Sequence, residues 1–138
     1  MREVIVVADA SYCADNELGG IGWLIAVDGE IVTRGGRPIF HDCKNIQNLE
    51  LVALREALQS SRRYRRCTMW GRVRTVVITD NVDAFINIPY SSRMHKREFF
   101  TKYLLKSLPK RYKFTHKYHK ECDEIANGMM NIARSYIK

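Results

Sequence analysis

The sequence predicts an α/β domain built on a mixed five-stranded sheet. Three antiparallel strands come first, then strands alternating with helices, with helices flanking the sheet. Three observations carry this expectation. The β-branched runs Val4-Ile5-Val6-Val7-Ala8 and Val76-Val77-Ile78-Thr79 have the composition of buried strands. Asp28-Gly29 is a tight-turn signal between two strand-like runs. Segments following residues 48 and 121 carry apolar residues at helical spacing.

Residues 2–10 read as the first strand, and 11–18 (SYCADNEL) as a polar loop. Residues 21–27 and 30–39 form the expected hairpin around Asp28-Gly29, with Gly35-Gly36 and Pro38 marking an end or a bulge of the third strand. After a polar connection, Asn48 is the expected cap of a helix whose apolar face is Leu51, Val52, Leu54, Ala57 and Leu58, running to about residue 60. Arg62, Arg63, Arg65, Arg66, Arg72 and Arg74 read as a basic link to a strand at 73–79. Asn81 or Asp83 caps a short helix ending before Pro89. A loop at 90–94 precedes a helix over 95–108, marked by Phe99, Phe100, Tyr103, Leu104 and Leu105. The alternating stretch 112–118 (YKFTHKY) is expected to be the fifth strand, and 121–137 the last helix.

The length of 138 residues and a hydrophobic content of 46% fit one folded domain over 1–138 rather than a disordered chain. No apolar run reaches membrane-spanning length, and the start MREVIVVADAS lacks the features of a signal peptide. The expectation is an intracellular, cytoplasmic monomer. The four cysteines show no CxxC pair and are expected to be reduced. His116, His119 and Cys122 form HxxHxxC. Read as crossing from strand into helix, these residues would not share a face, which argues against zinc. The net charge of +8, from 23 Lys+Arg against 15 Asp+Glu, favours a polyanionic partner, most often nucleic acid.

Four carboxylates stand out against that basic background. Asp9 and Asp80 each end an apolar strand run, where an unpaired buried charge would be costly. Glu50 and Asp123 each open a helical segment. Converging, the four would offer oxygen ligands to divalent cations.

The order of elements, with these motifs, resembles the ribonuclease H family across nearly the whole chain. ADAS with the later GGIGW is similar to the family's first-strand motif, NLELVALREAL to its catalytic helix, VVITDN to its fourth-strand Asp motif, and ECDEIAN to its C-terminal motif. The resemblance implies an endonuclease cutting the RNA strand of RNA–DNA hybrids to give 5′-phosphate and 3′-hydroxyl ends. It implies two Mg2+ (or Mn2+) ions, with Asp9 bridging both, Glu50 and Asp80 completing one site and Asp123 the other. Gln47 stands where many members carry a hybrid-contacting Asn, and with Asn48 is an implied substrate contact.

Other departures are Ala10 in place of a common Gly and a short segment before Asp123, where either His116 or His119 could take the place of a loop histidine. The interval from Asp80 to Asp123 is too short for a full basic protrusion. Arg93, Lys96 and Arg97 are the expected substitute for that substrate handle. Arginines 62–74 are either a solvated link or a further contact. Trp23 and Trp70 are expected to be packing anchors, Asp83 a helix-start charge, and Asp15 and Asn16 solvated loop residues. On the same fold, cleavage of DNA or structured junctions and non-catalytic nucleic-acid binding are the alternatives.

Overall fold

The computed structural model describes residues 2–15, 17–40, 46–88 and 98–136. Strands β1 (Arg2–Cys13), β2 (Leu18–Val27) and β3 (Glu30–Ile39) are followed by helix α1 (Ile46–Thr68), β4 (Val73–Thr79), α2 (Val82–Asn87), β5 (Glu98–Leu104) and α3 (His116–Ser135). Two 3-10 segments, Leu105–Ser107 and Lys110–Thr115, link β5 to α3. The sheet order is β3-β2-β1-β4-β5. β1 runs antiparallel to β2 and parallel to β4, and β4 runs parallel to β5. The expected mixed five-stranded α/β sheet is therefore present.

β1 is central and covered on both faces, so its residues are apolar without alternation. Val4, Val6, Ala8 and Ala10 pack with Leu49, Ala53, Leu54, Ala57 and Leu58 of α1. Ile5 and Val7 pack with Leu24, Val76, Ile78, Tyr118 and Cys122 on the α3 face. The β2–β3 turn needs left-handed backbone at Asp28 (φ 50) and Gly29 (φ 88), which is why Asp-Gly marks it. Asp28 also accepts hydrogen bonds from Glu3 N (3.1 Å) and Arg2 Nε (3.0 Å), pinning the hairpin to the start of β1.

Several boundaries differ from expectation. The 11–18 loop is short, because β1 and β2 stay paired out to Cys13 and Leu18. The bulge of β3 lies at Val32, since Ile25 pairs with Thr33 and Ala26 with Ile31. Gly35 and Gly36 remain in the strand, and Pro38 is tolerated because β3 is an edge. Asn48 lies inside α1 rather than capping it, because the helix already begins at Ile46. The arginines at 62–66 are not a link. α1 continues through them, anchored by buried Ser61 and by Tyr64 against the core, with Arg65 and Arg66 in the last turn, where they complement the helix dipole. Trp70 is no packing anchor, being 91% exposed just beyond α1, whereas Trp23 packs on the core. Asn81 caps α2, accepting from Ala84 N at 2.9 Å.

The largest correction concerns the last third of the chain. Residues 98–104 are a strand, where a helix was expected. Phe100 packs toward the α1 face and Tyr103 toward the α3 face, so apolar residues fall on both sides and imitate helical spacing. The expected fifth strand at 112–118 is instead a 3-10 turn running into α3. Its buried residues, Tyr112, Thr115, Tyr118, Cys122 and Ala126, recur every three or four positions, which is helical. α3 therefore starts at His116, earlier than expected.

Candidate active site

β1 and β4 run side by side with Val7 opposite Ile78; two residues further along each stand Asp9 and Asp80. Asp9 follows Ile5 and Val7 in the alternation, on the α3 side. The turn after β4 is held by Thr79 Oγ1, which accepts from Asn81 N at 3.2 Å.

α3 reaches this end of the sheet because β2 admits it. A Cβ at Gly22, which pairs with Asp9, would lie 2.6 Å from the Cys122 carbonyl oxygen. One at Gly20 would collide with the backbone of Ala126 and Met130. The GGIG sequence is thus a seat for a helix backbone.

On that helix His119 turns inward. Its Nε2 lies 3.3 Å from Asp80 Oδ2 and 3.7 Å from Asp9 Oδ2. Ligand atoms of Asp9, Asp80 and His119 all lie within 4.8 Å of one another. Asp9 is 4% exposed and accepts from Ala10 N at 2.9 Å. Glu50, 3% exposed in the second turn of α1, shares a side-chain hydrogen bond with Asp9, while its Oε2 is buried without a partner. Asp123 is exposed one turn beyond His119, where it accepts from Asn127 Nδ2 at 3.4 Å. Asn127 Oδ1 in turn accepts from Ser11 Oγ at 2.6 Å.

Electrostatics follow from this crowding. Burial, reinforced by the Asp80 charge, raises the Asp9 carboxyl to about 6, although hydrogen bonding to Glu50 and the His119 charge oppose the rise. Glu50 is raised by burial, by its hydrogen bond to Asp9 and by the charges of Asp9 and Asp80. At His119 burial opposes the charged form, but Asp80 and Asp9 outweigh it and the pKa is raised.

Asp9, Glu50 and Asp80 thus come together, with Asp123 at the rim. The sequence marks His119 only within HxxHxxC and as one of two stand-ins for a loop histidine, not as a neighbour of Asp9 and Asp80, because a helix starting at 121 leaves it outside α3. Its spacing of four residues before Asp123 is the signal that an earlier start would have exposed. HxxHxxC does not gather as a ligand set, since Cys122 Sγ donates to Val7 O at 3.4 Å and His116 is exposed. Asn48 is exposed in the first turn of α1. The Gln47 side chain and Arg93, Lys96 and Arg97 lie outside the described residues.

No protein-family model and no curated protein matches the sequence. Solved structures do. The N-terminal RNase H domain of a Mycobacterium tuberculosis protein, solved fused to maltose-binding protein, superposes with a TM-score of 0.69 at 13% identity, covering 100% of both chains. The chain has the ribonuclease H fold. LC11-RNase H1, solved in complex with an RNA/DNA hybrid, gives a TM-score of 0.62 at 14% identity, covering 94% of this chain and 98% of its own. RNase H1 from the halophilic archaeon Halobacterium salinarum gives 0.61 at 16%, with the same coverage. On this ribonuclease H fold, Asp9 and Asp80 stand just beyond the point where the parallel pairing of β1 and β4 ends, with Glu50 reaching them from α1. Among the described residues no helix is long and apolar enough to cross a membrane.

Proposed function

We propose that the protein is a metal-dependent endonuclease that cleaves the RNA strand of RNA–DNA hybrids, giving 5′-phosphate and 3′-hydroxyl ends. One observation carries the reading. Asp9, Glu50 and Asp80 are drawn from three separate elements into one largely buried cluster, and Glu50 Oε2 is left without a partner. Buried polar groups are ordinarily satisfied, and carboxylates packed together repel. Oxygen donors so arranged fit Mg2+ or Mn2+.

Asp9, Glu50, Asp80 and Asp123 would hold two ions, and these, when bound, supply charge to polarise the phosphate, activate water and stabilise the leaving oxygen. The residues themselves do the positioning. Asp9 is fixed by the sheet and by Ala10 N. Glu50 is buried behind it, and Asp80 is the exposed member through which the cluster meets solvent and would meet a phosphate. Gln47, Asn48, Arg93, Lys96 and Arg97 contact the hybrid, phosphate contacts setting register without reading sequence. The 2′-hydroxyls distinguish RNA from DNA.

The test is incubation with end-labelled RNA–DNA hybrid, duplex DNA and duplex RNA, with and without Mg2+ or Mn2+. Only the hybrid's RNA strand should be cut, only with metal, leaving 5′-phosphates. Cleavage of duplex DNA, or none of any substrate, overturns the reading.

A further inference from the structure

We propose that His119 is itself a metal ligand, its Nε2 joining Asp9 and Asp80 in a mixed nitrogen–oxygen site that selects Mn2+ over Mg2+. This deepens the metal-dependent reading and rests on it.

The ordinary explanation of a histidine beside two carboxylates is an ion pair. An ion pair would direct the N–H at an oxygen. Here Nε2 lies 3.3 Å from an Asp80 oxygen and 3.7 Å from an Asp9 oxygen and is shut off from solvent. The nearer contact helps raise the His119 pKa, yet it is long and poorly directed and leaves Nε2 without a well-formed hydrogen bond. Among the described residues, two buried side-chain polar atoms are left without a partner, His119 Nε2 and Glu50 Oε2. Both belong to residues that adjoin Asp9. Two orphaned atoms around one carboxylate are what a shared cation would satisfy.

The spacing suits a cation as well. Bonds of about 2.0–2.2 Å to one ion hold its donor atoms roughly 3–4 Å apart, and the separations from Nε2 fall in that range. Asp123, one turn further along α3, is exposed and engaged by Asn127, so the inward position on this helix belongs to the imidazole. Asp123 is left to the outer ion.

Donor chemistry then sets the preference. Mg2+ is hard and favours oxygen throughout, whereas an imidazole nitrogen suits transition metals. Removing the imidazole should therefore weaken Mn2+ far more than Mg2+.

Pulsed EPR of the full-length protein loaded with one equivalent of Mn2+ tests this without any turnover. A 14N coupling from a directly bound imidazole is expected. It should vanish in His119→Gln and persist in Asp123→Asn. Calorimetric titration should show the Mn2+/Mg2+ affinity ratio falling at least about tenfold in His119→Gln. Mn2+ binding without 14N coupling in the unmodified protein, which needs no variant to fold, overturns the ligand role and leaves the carboxylate metal site standing. Absence of any Mn2+ binding overturns both.

Discussion

Ser11 and Asn127, far apart in sequence, are joined by a 2.6 Å hydrogen bond that ties the outer end of β1 to α3. Asn127 passes the constraint on, donating to Asp123. The helix that carries His119 and Asp123 is thus latched to the strand that carries Asp9. Ser11→Ala removes the latch at an exposed position, so unfolding free energy should fall by only about 0.5–1 kcal/mol. Hybrid cleavage should fall several-fold, through loss of Asp123 placement. Equal activity in the two proteins under saturating metal would show that Asp123 needs no such support.

Gly22→Ala should be more damaging. The added methyl meets the Cys122 carbonyl and the Ile125 side chain, and backbone cannot step aside as a flexible side chain can. Overpacking of this kind costs about 1–3 kcal/mol. The loss should appear in chemical denaturation, and Mn2+ affinity should fall with it as His119 is displaced. Unchanged metal affinity would mean that α3 adjusts elsewhere along its length.

Stability without metal should depend on pH in a direction set by the buried pair. Asp9 and Glu50 have raised pKa values in the folded protein. Below about pH 4 folded and unfolded chains are both protonated there, and no penalty arises. As pH rises, the unfolded chain ionises first and is favoured. Asp9's share of this loss is complete near its folded value of about 6, while Glu50's continues above it. His119, raised as a base, adds stability that is likewise lost as pH climbs through its folded pKa. Glu50→Gln should therefore flatten the profile and stabilise the metal-free protein at pH 7 by about 1–3 kcal/mol, while abolishing cleavage. Urea titrations at pH 5 and 8 measure both slopes, and parallel profiles would refute the assignment.

Asp9→Asn should likewise leave the fold intact and abolish cleavage, because Asp9 is the carboxylate that borders both Glu50 and His119. Normal turnover by this variant would remove Asp9 from the ligand set.

The two basic stretches should behave differently. Arg62, Arg63, Arg65 and Arg66 lie on α1 roughly 18–24 Å along the helix axis from Glu50. Neutralising Arg93, Lys96 and Arg97 should lower the salt dependence of hybrid binding by about one unit of slope per lost contact. The same change at the four α1 arginines should leave it nearly unaltered. The reverse pattern would place the substrate along α1.

The carboxylates were legible because each sits where apolar patterning is strong. Asp9 directly follows the apolar run Val4–Ala8 within β1, Asp80 follows Val76–Thr79 at the end of β4, and the α1 stripe beginning at Leu49 locates Glu50. The segment from 98 to 118 misled because tertiary context overrides local pattern there. β5 puts half-buried Phe100 and Tyr103 against opposite helix layers, so its apolar residues do not alternate and Phe99, Phe100, Tyr103 and Leu104 mimic a helix. YKFTHKY alternates in polarity, but Tyr112, Thr115 and Tyr118 are the residues it buries. That misplaced start of α3 is what left His116 and His119 undecided and hid the contact of His119 with Asp9 and Asp80.

The candidate ligands come from β1, α1, the end of β4 and α3, so neighbours in space are strangers in sequence. No fragment that stops before α3 holds the complete set. During synthesis the hairpin, α1 and β4 emerge first, and the candidate ligand set is complete only when α3 seats on Gly20 and Gly22. On the proposed reading, a chain unfinished or clipped before α3 would lack the ligands needed to cleave nucleic acid, and metal occupancy would report completion of the fold.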